Sequence, residues 1–192
     1  MNKVLKYLLP SAISSILLFS CGVKNEKELD EIKDLRVKLT KVDSMLKSVD
    51  ADLAENKAAE LKNNSQFIQY NINKLGDTLD FQTALFLNYY RALLRSYETV
   101  AQSHEQIGSK ADSTRHGLDD LEHDITENSL ADGLTPESCL EREEEQVNYL
   151  FDHAKTLHEM LNNATAGYDT LNPKVAQYMN NLKVKLSALD LK

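Results

Sequence analysis

An all-α fold is predicted for this chain, an elongated antiparallel helical bundle or coiled-coil hairpin of four to five helices. Three observations predict it. Apolar residues recur at steps of three and four almost throughout. Leu, Ala, Lys, Glu, Asp and Asn dominate, with six Gly, three Pro and no Trp, as in long helices. No segment alternates apolar and polar residues as a half-buried strand does.

The elements follow in chain order. Residues 1–20 read as an export signal. Lys3 and Lys6 give a positive start, and residues 7–19 form an apolar run broken once by Pro10. That run is too short for a spanning helix of about 20 residues and fits a signal h-region ahead of a small residue, Ser20. Residues 21–27 read as a short polar tether, and residues 28–192 as a single helical domain.

The domain opens on a heptad seam: Ile32, Leu35, Leu39, Val42, Leu46, Val49 and Leu53. This seam is narrow and heavily charged. It closes within the bundle, pairs with a second copy, or receives a partner helix. It breaks near residues 56–60, where polar residues hold the seam positions. It resumes one residue out of phase with Leu61, Ile68, Ile72, Leu75 and Leu79. Asn63-Asn64 marks a candidate bend. Gly76-Asp77 reads as a helix end followed by an N-cap.

The richest apolar stretch comes next, with Phe81, Leu85, Phe86, Leu87, Tyr89, Tyr90, Leu93, Leu94 and Tyr97. Its apolar face is wide, so it is expected to sit centrally against more than one helix. Its tyrosines read first as core packing with hydroxyls at the edge, and second as a small-ligand groove. Ile107-Gly108-Ser109 reads as a stop and restart, leading into a weaker helix with Leu118, Leu121 and Ile125. That helix is expected to end at Ala131-Asp132-Gly133. Thr135-Pro136-Glu137 then opens the next, as N-cap, first residue and acidic first turn. Glu141 and Glu143-Glu144-Glu145 accordingly read as a solvated helix start. A last seam runs from Leu140 through Val147, Leu150, Leu157, Leu161, Tyr168, Val175, Leu182 and Leu189. It keeps phase across Gly167 and Asn172-Pro173, which predicts a kink or a short break between nearly collinear helices; a separate last helix capped by Asn172 is the alternative.

Leu18-Phe19-Ser20-Cys21 resembles the lipobox of bacterial lipoproteins, although Phe19 departs from the small or branched residue usual at its position. The resemblance implies that Cys21 is acylated and becomes the first residue of the mature chain. It also implies a bilayer anchor of two or three acyl chains such as palmitate, each buried methylene contributing about 0.8 kcal/mol. Gly22 in place of Asp favours the outer membrane, facing the periplasm. The charged residues 24–28 loosely resemble surface-export tags of Bacteroidota lipoproteins, but lack their compact acidic run. Asp43-Ser44-Met45, Asp77-Thr78-Leu79, Asp112-Ser113-Thr114 and Asp169-Thr170-Leu171 resemble Bacteroidota O-glycosylation sites. They make Ser44, Thr78, Ser113 and Thr170 candidate acceptors, beside the ordinary reading of Asp-Ser and Asp-Thr as cap and turn chemistry.

Charge and motifs bound the chemistry. The formal charge of −8 becomes −10 once Lys3 and Lys6 are removed, which argues against nucleic acid as a partner. With Cys21 acylated, Cys139 is left alone, either buried beside Leu140 or linking two chains. His116, Asp120 and His123 fall at i, i+4 and i+7, a weak candidate metal face; the competing reading is a polar outer surface. His158-Glu159-Met160-Leu161-Asn162 lacks the second histidine of a zinc-protease helix. No Gly-rich phosphate loop, Gly-x-Ser-x-Gly or Cys-x-x-Cys occurs. The expectation is a non-enzymatic scaffold or interaction adaptor without a cofactor. It would be anchored to the lipid bilayer and engage a protein partner or itself. Two alternatives stand beside it. One is a ligand carrier or sensor using the stretch from Phe81 to Tyr97. The other is a membrane-to-peptidoglycan tether, since an acylated N-terminal Cys, a heptad helix and a final lysine, here Lys192, resemble the major murein lipoprotein.

Overall fold

The computed structural model describes residues 25–76 and 79–190; the export signal, Cys21, Thr78 and Lys192 lie outside the described residues. Four helices make up nearly all of the described chain: α1 (Glu26–Ser48), α2 (Ala51–Leu75), α3 (Phe81–Glu127) and α4 (Pro136–Asp190). The described residues contain no strand. α1 begins inside the segment expected to be a tether.

α1 and α2 each pack on α3 and α4 but not on one another. They act as one rod with a joint, so the bundle is three rods thick. Contacts along α1 and α2 fix the directions. Arg36 meets Asp119, Asp43 meets Arg115, and Asn64 meets Tyr90, so α3 runs antiparallel to this rod. Lys38 meets Asn148, Ser48 meets His158, and Glu60 meets Tyr168, so α4 runs parallel to it. At 1.5 Å per residue the 47 residues of α3 span about 70 Å.

The first seam closes within this bundle. Ile32, Leu35, Leu39, Val42, Leu46 and Val49 are all buried. A helix break between α1 and α2 comes at Val49 and Asp50, inside the expected seam, whose last residue Leu53 is 37 % exposed. Val49 is extended, and the Asp50 carboxylate accepts a hydrogen bond from the Leu53 amide at 2.8 Å. An N-cap of this kind contributes about 1 kcal/mol and selects the start of α2. Residues 56–60 stay helical, and Lys57 and Glu60 among them meet Tyr168 across the bundle. Asn63-Asn64 does not interrupt α2 either.

α3 also differs from expectation. It runs unbroken through Ile107-Gly108-Ser109. A mid-helix Gly costs about 1 kcal/mol relative to Ala, too little to stop a helix that buries Ile107 and Ala111 on either side. It ends at Asn128, left-handed at φ 53°, rather than at Ala131-Asp132-Gly133; Asn tolerates that conformation. Gly76, left-handed at φ 62°, ends α2 as expected. α3 is capped by Asp80, which accepts from the Thr83 amide at 2.9 Å. Thr135 caps α4, accepting from the Ser138 amide at 3.2 Å.

α4 continues through Gly167 and Pro173 as a single helix, without the break or separate last helix considered from the sequence. Tyr168 and Val175, buried on either side of the proline, offset its missing hydrogen bond. At Gly167 a Cβ would stand 2.8 Å from a Leu93 methyl; the missing side chain lets α3 and α4 approach. Cys139 is a free thiol, buried with its neighbour Leu140.

Candidate interaction surface

The two ends of the bundle differ in chemistry. Asn25 lies beside the α3–α4 connection, lining one shallow depression with Ile125, Asn128, Leu130 and Pro136. This tether end is acidic: residues 104–157 carry fourteen Asp and Glu against four Lys and Arg. Its helices are joined by surface ion pairs. The Arg36 guanidinium reaches Asp119 and Glu122, both at 2.6 Å, and Arg115 bridges Asp43 at 2.7 Å and Asp112 at 2.6 Å. Glu143 departs from the expected solvated helix start. It is 8 % exposed, against Gly117 and bonded to Arg142, while Glu141, Glu144 and Glu145 are exposed.

Two histidines hold the α1–α2 joint. His104 Nε2 donates to the Leu46 carbonyl at 3.0 Å, and His158 Nδ1 lies 3.0 Å from the Ser48 hydroxyl, which itself donates to Met45. Both satisfy groups at the C-terminal end of α1, where the helix dipole favours donors.

The far half has a different interior. Tyr90 and Tyr97 are fully buried. The Tyr90 hydroxyl accepts from Asn64 at 2.9 Å and donates to Asn172 at 3.3 Å. Tyr168 donates to Glu60 Oε1 at 2.5 Å, and Lys57 bonds Glu60 Oε2 at 3.1 Å while its ammonium lies over the Tyr168 ring. Tyr97 packs edge-on against Tyr168. Hydrogen bonding to Tyr168 and Glu60 pushes the Lys57 ammonium up to about 12. Burial pushes the Tyr90 and Tyr168 hydroxyls above their ordinary range. For Glu60, burial acts upward, but the bonds from Tyr168 and Lys57 outweigh it and hold the carboxyl below its usual range. This layer explains the polar interruption of the seam at residues 56–60.

The outer surface of this half carries the site of interest. Phe81, Leu85 and Tyr89 are 76 %, 39 % and 57 % exposed. Spaced at i, i+4 and i+8, they form one row along the outside of α3. The wide apolar face expected here is thus split: Leu87, Tyr90 and Tyr97 turn into the core, and this row turns to solvent. Beside it, a shallow groove between α2 and α3 is lined by Lys62, Ser65, Gln66, Arg91, Leu94, Arg95 and Glu98. Residues 51–76, 79–103 and 158–190, which make up this half, carry eight acids and eight bases.

The other sequence-level candidates are dispersed. His116, Asp120 and His123 are exposed on α3, and no group of three or more His, Cys, Asp or Glu among the described residues is arranged to hold a metal ion. Ser44, Ser113 and Thr170 are exposed in mid-helix. The Ser113 and Thr170 hydroxyls donate to carbonyls four residues back, so their Asp-Ser and Asp-Thr pairs are not caps. Sequence reasoning missed the Lys57–Glu60–Tyr168 cluster, whose signal was the seam interruption, and the groove cations Lys62, Arg91 and Arg95, which had none. Among the described residues no helix is long and apolar enough to cross a membrane. Comparison with protein-family models, curated proteins and solved structures finds no match to this chain.

Proposed function

We propose that this chain is a lipid-anchored, non-enzymatic envelope adaptor that presents a protein-binding face on a rigid helical rod. The observation that carries this reading is the exposed apolar row of Phe81, Leu85 and Tyr89, on the half of the bundle away from Asn25. An exposed apolar row rimmed by polar residues supports a role in partner contact. Cys21, four residues before Asn25, would place the acidic end next to the membrane. Anionic headgroups repel that surface, which favours a rod standing off the bilayer. The rod is an antiparallel coiled-coil-like bundle whose first seam is already occupied by its own α3 and α4, so partners meet outer faces rather than seams. The exposed Ser44, Ser113 and Thr170 leave room for glycans on the shaft.

Acyl labelling in the producing cells, followed by crosslinking and affinity capture of the full-length protein, tests this. Label lost in Cys21→Ala and a reproducible protein partner are expected. Muropeptides on Lys192 would make it a wall tether, and a co-purifying small molecule a carrier.

A further inference from the structure

Resting on the adaptor reading, we propose that the outer face of α3 over residues 81–95 receives an acidic amphipathic helix of a partner protein. The row of Phe81, Leu85 and Tyr89 spans nine residues, about 12 Å of helix from first to last. It suits the apolar anchors of one docked helix, spaced i, i+4 and i+7. It is one residue wide and bordered by the exposed polar Gln82 and Asn88. That is too narrow a face for insertion into a bilayer, which needs a broad apolar surface.

Charge decides the partner's chemistry. Arg91 and Arg95 project from the α2 side of the row, and Lys62 stands across the groove floored by Leu94. Arg91 bonds only the neutral Gln69, at 3.2 Å. Among the described residues, Lys62 and Arg95 have no hydrogen-bond or ion-pair partner. On the tether end, by contrast, Arg36 and Arg115 are each held by two carboxylates. Among the described residues that line the groove, Glu98 is the one acid beside the three cations. A helix with apolar anchors on one face and Asp or Glu along the edge toward the groove satisfies both features. A second copy of this chain fits less well. Its acidic residues 104–157 expose only Leu134 and Tyr149 as large apolar side chains, and Tyr149 is already stacked on His153 beneath Lys110.

The test uses the full-length protein in the cells that make it, with benzoylphenylalanine replacing Tyr89 in one strain and Tyr149 in another. The expected result is a light-dependent adduct from position 89, whose crosslinked peptide is an acid-rich helix of another protein. Arg91→Glu/Arg95→Glu should lower its yield about tenfold, and Lys in place of the partner's acids should restore it. Both arginines are exposed, and an unchanged thermal melt checks that the double variant folds. An adduct to a second copy, to lipid, or to a peptide whose capture ignores the charge reversal overturns the proposal. A protein adduct from position 149 alone overturns this surface while leaving the adaptor reading standing. No protein adduct from either position overturns both.

Discussion

The tether half and the far half of this bundle are held together differently. Both bury continuous apolar seams, so the hydrophobic contribution to stability is similar in kind. Their polar groups are arranged differently. Near Asn25 the charges apart from the buried Glu143 stay outside, in ion pairs from Arg36 and Arg115. Toward Gly76 the buried Tyr90 and Tyr168 hydroxyls draw Asn64 and the half-exposed Glu60 and Lys57 onto the edge of the core, and apolar groups come outside at Phe81, Leu85 and Tyr89. The difference teaches that a uniform heptad-like sequence can build a rod with two chemically distinct ends. A surface of paired charges resists sticking, whereas an exposed apolar row beside unpaired cations invites a partner.

Substitutions in each half separate the two kinds of packing. Tyr97→Ala empties the centre of the far half and should cost about 3–5 kcal/mol in urea unfolding. Leu118→Ala, its counterpart in the tether half, should cost about 2–5 kcal/mol. A negligible loss at either position would mean that half is not packed as described.

Tyr168→Phe tests the inner polar layer and should cost about 1–2 kcal/mol, since a bond to a charged acceptor is lost at a partly open site. The same layer predicts alkaline lability. Tyr90 and Tyr168 are raised above 10.0, and Lys57 from 10.5 to about 12. The folded state therefore holds these protons longer than the unfolded chain. Their stabilisation is complete below about pH 10 and is lost as pH rises toward 12. Melting temperature followed from pH 9 to 12 should fall steeply in the wild type and less steeply in Tyr90→Phe/Tyr168→Phe. Equal slopes would remove the layer from the account. Glu60 has the opposite sign: its lowered carboxyl stabilises above the unfolded range and ceases to do so as pH falls through its folded value.

Smaller effects are expected outside. Arg36→Gln should cost no more than about 1 kcal/mol, because its carboxylate partners are half-exposed. That loss should vanish at about 1 M salt, where the screening length is about 3 Å; the Tyr168→Phe loss should persist there. Ser at Phe81, Leu85 or Tyr89 should change stability by about 0.5 kcal/mol or less, while removing partner capture.

The helices were legible because periodicity is a strong signal over long segments. The seam of Ile32, Leu39 and Leu46, the Gly76 terminus and the Thr135-Pro136 start stand where the pattern puts them. Helix breaks were less legible. Gly108 costs about 1 kcal/mol and Pro173 about 3 kcal/mol locally, and burial on both sides outweighs them, whereas Asp50 starts α2 and Asn128 ends α3 with weaker composition signals. The inner layer was half legible: the polar gap at residues 56–60 was visible, but its partner Tyr168 lies more than a hundred residues away. The outer row could not be read from sequence, because a wide apolar stretch does not reveal which of its sides the neighbouring helices cover.

Side-chain oxidation by hydroxyl radicals, compared between the purified full-length protein and the same protein in its native envelope, shows directly whether a partner covers the outer row of α3. Phe81, Leu85 and Tyr89 should become protected in the envelope, while Val37 and Tyr149, exposed on the tether half, should react equally in both. Unchanged reactivity along the row, or protection confined to Val37 and Tyr149, would contradict that coverage.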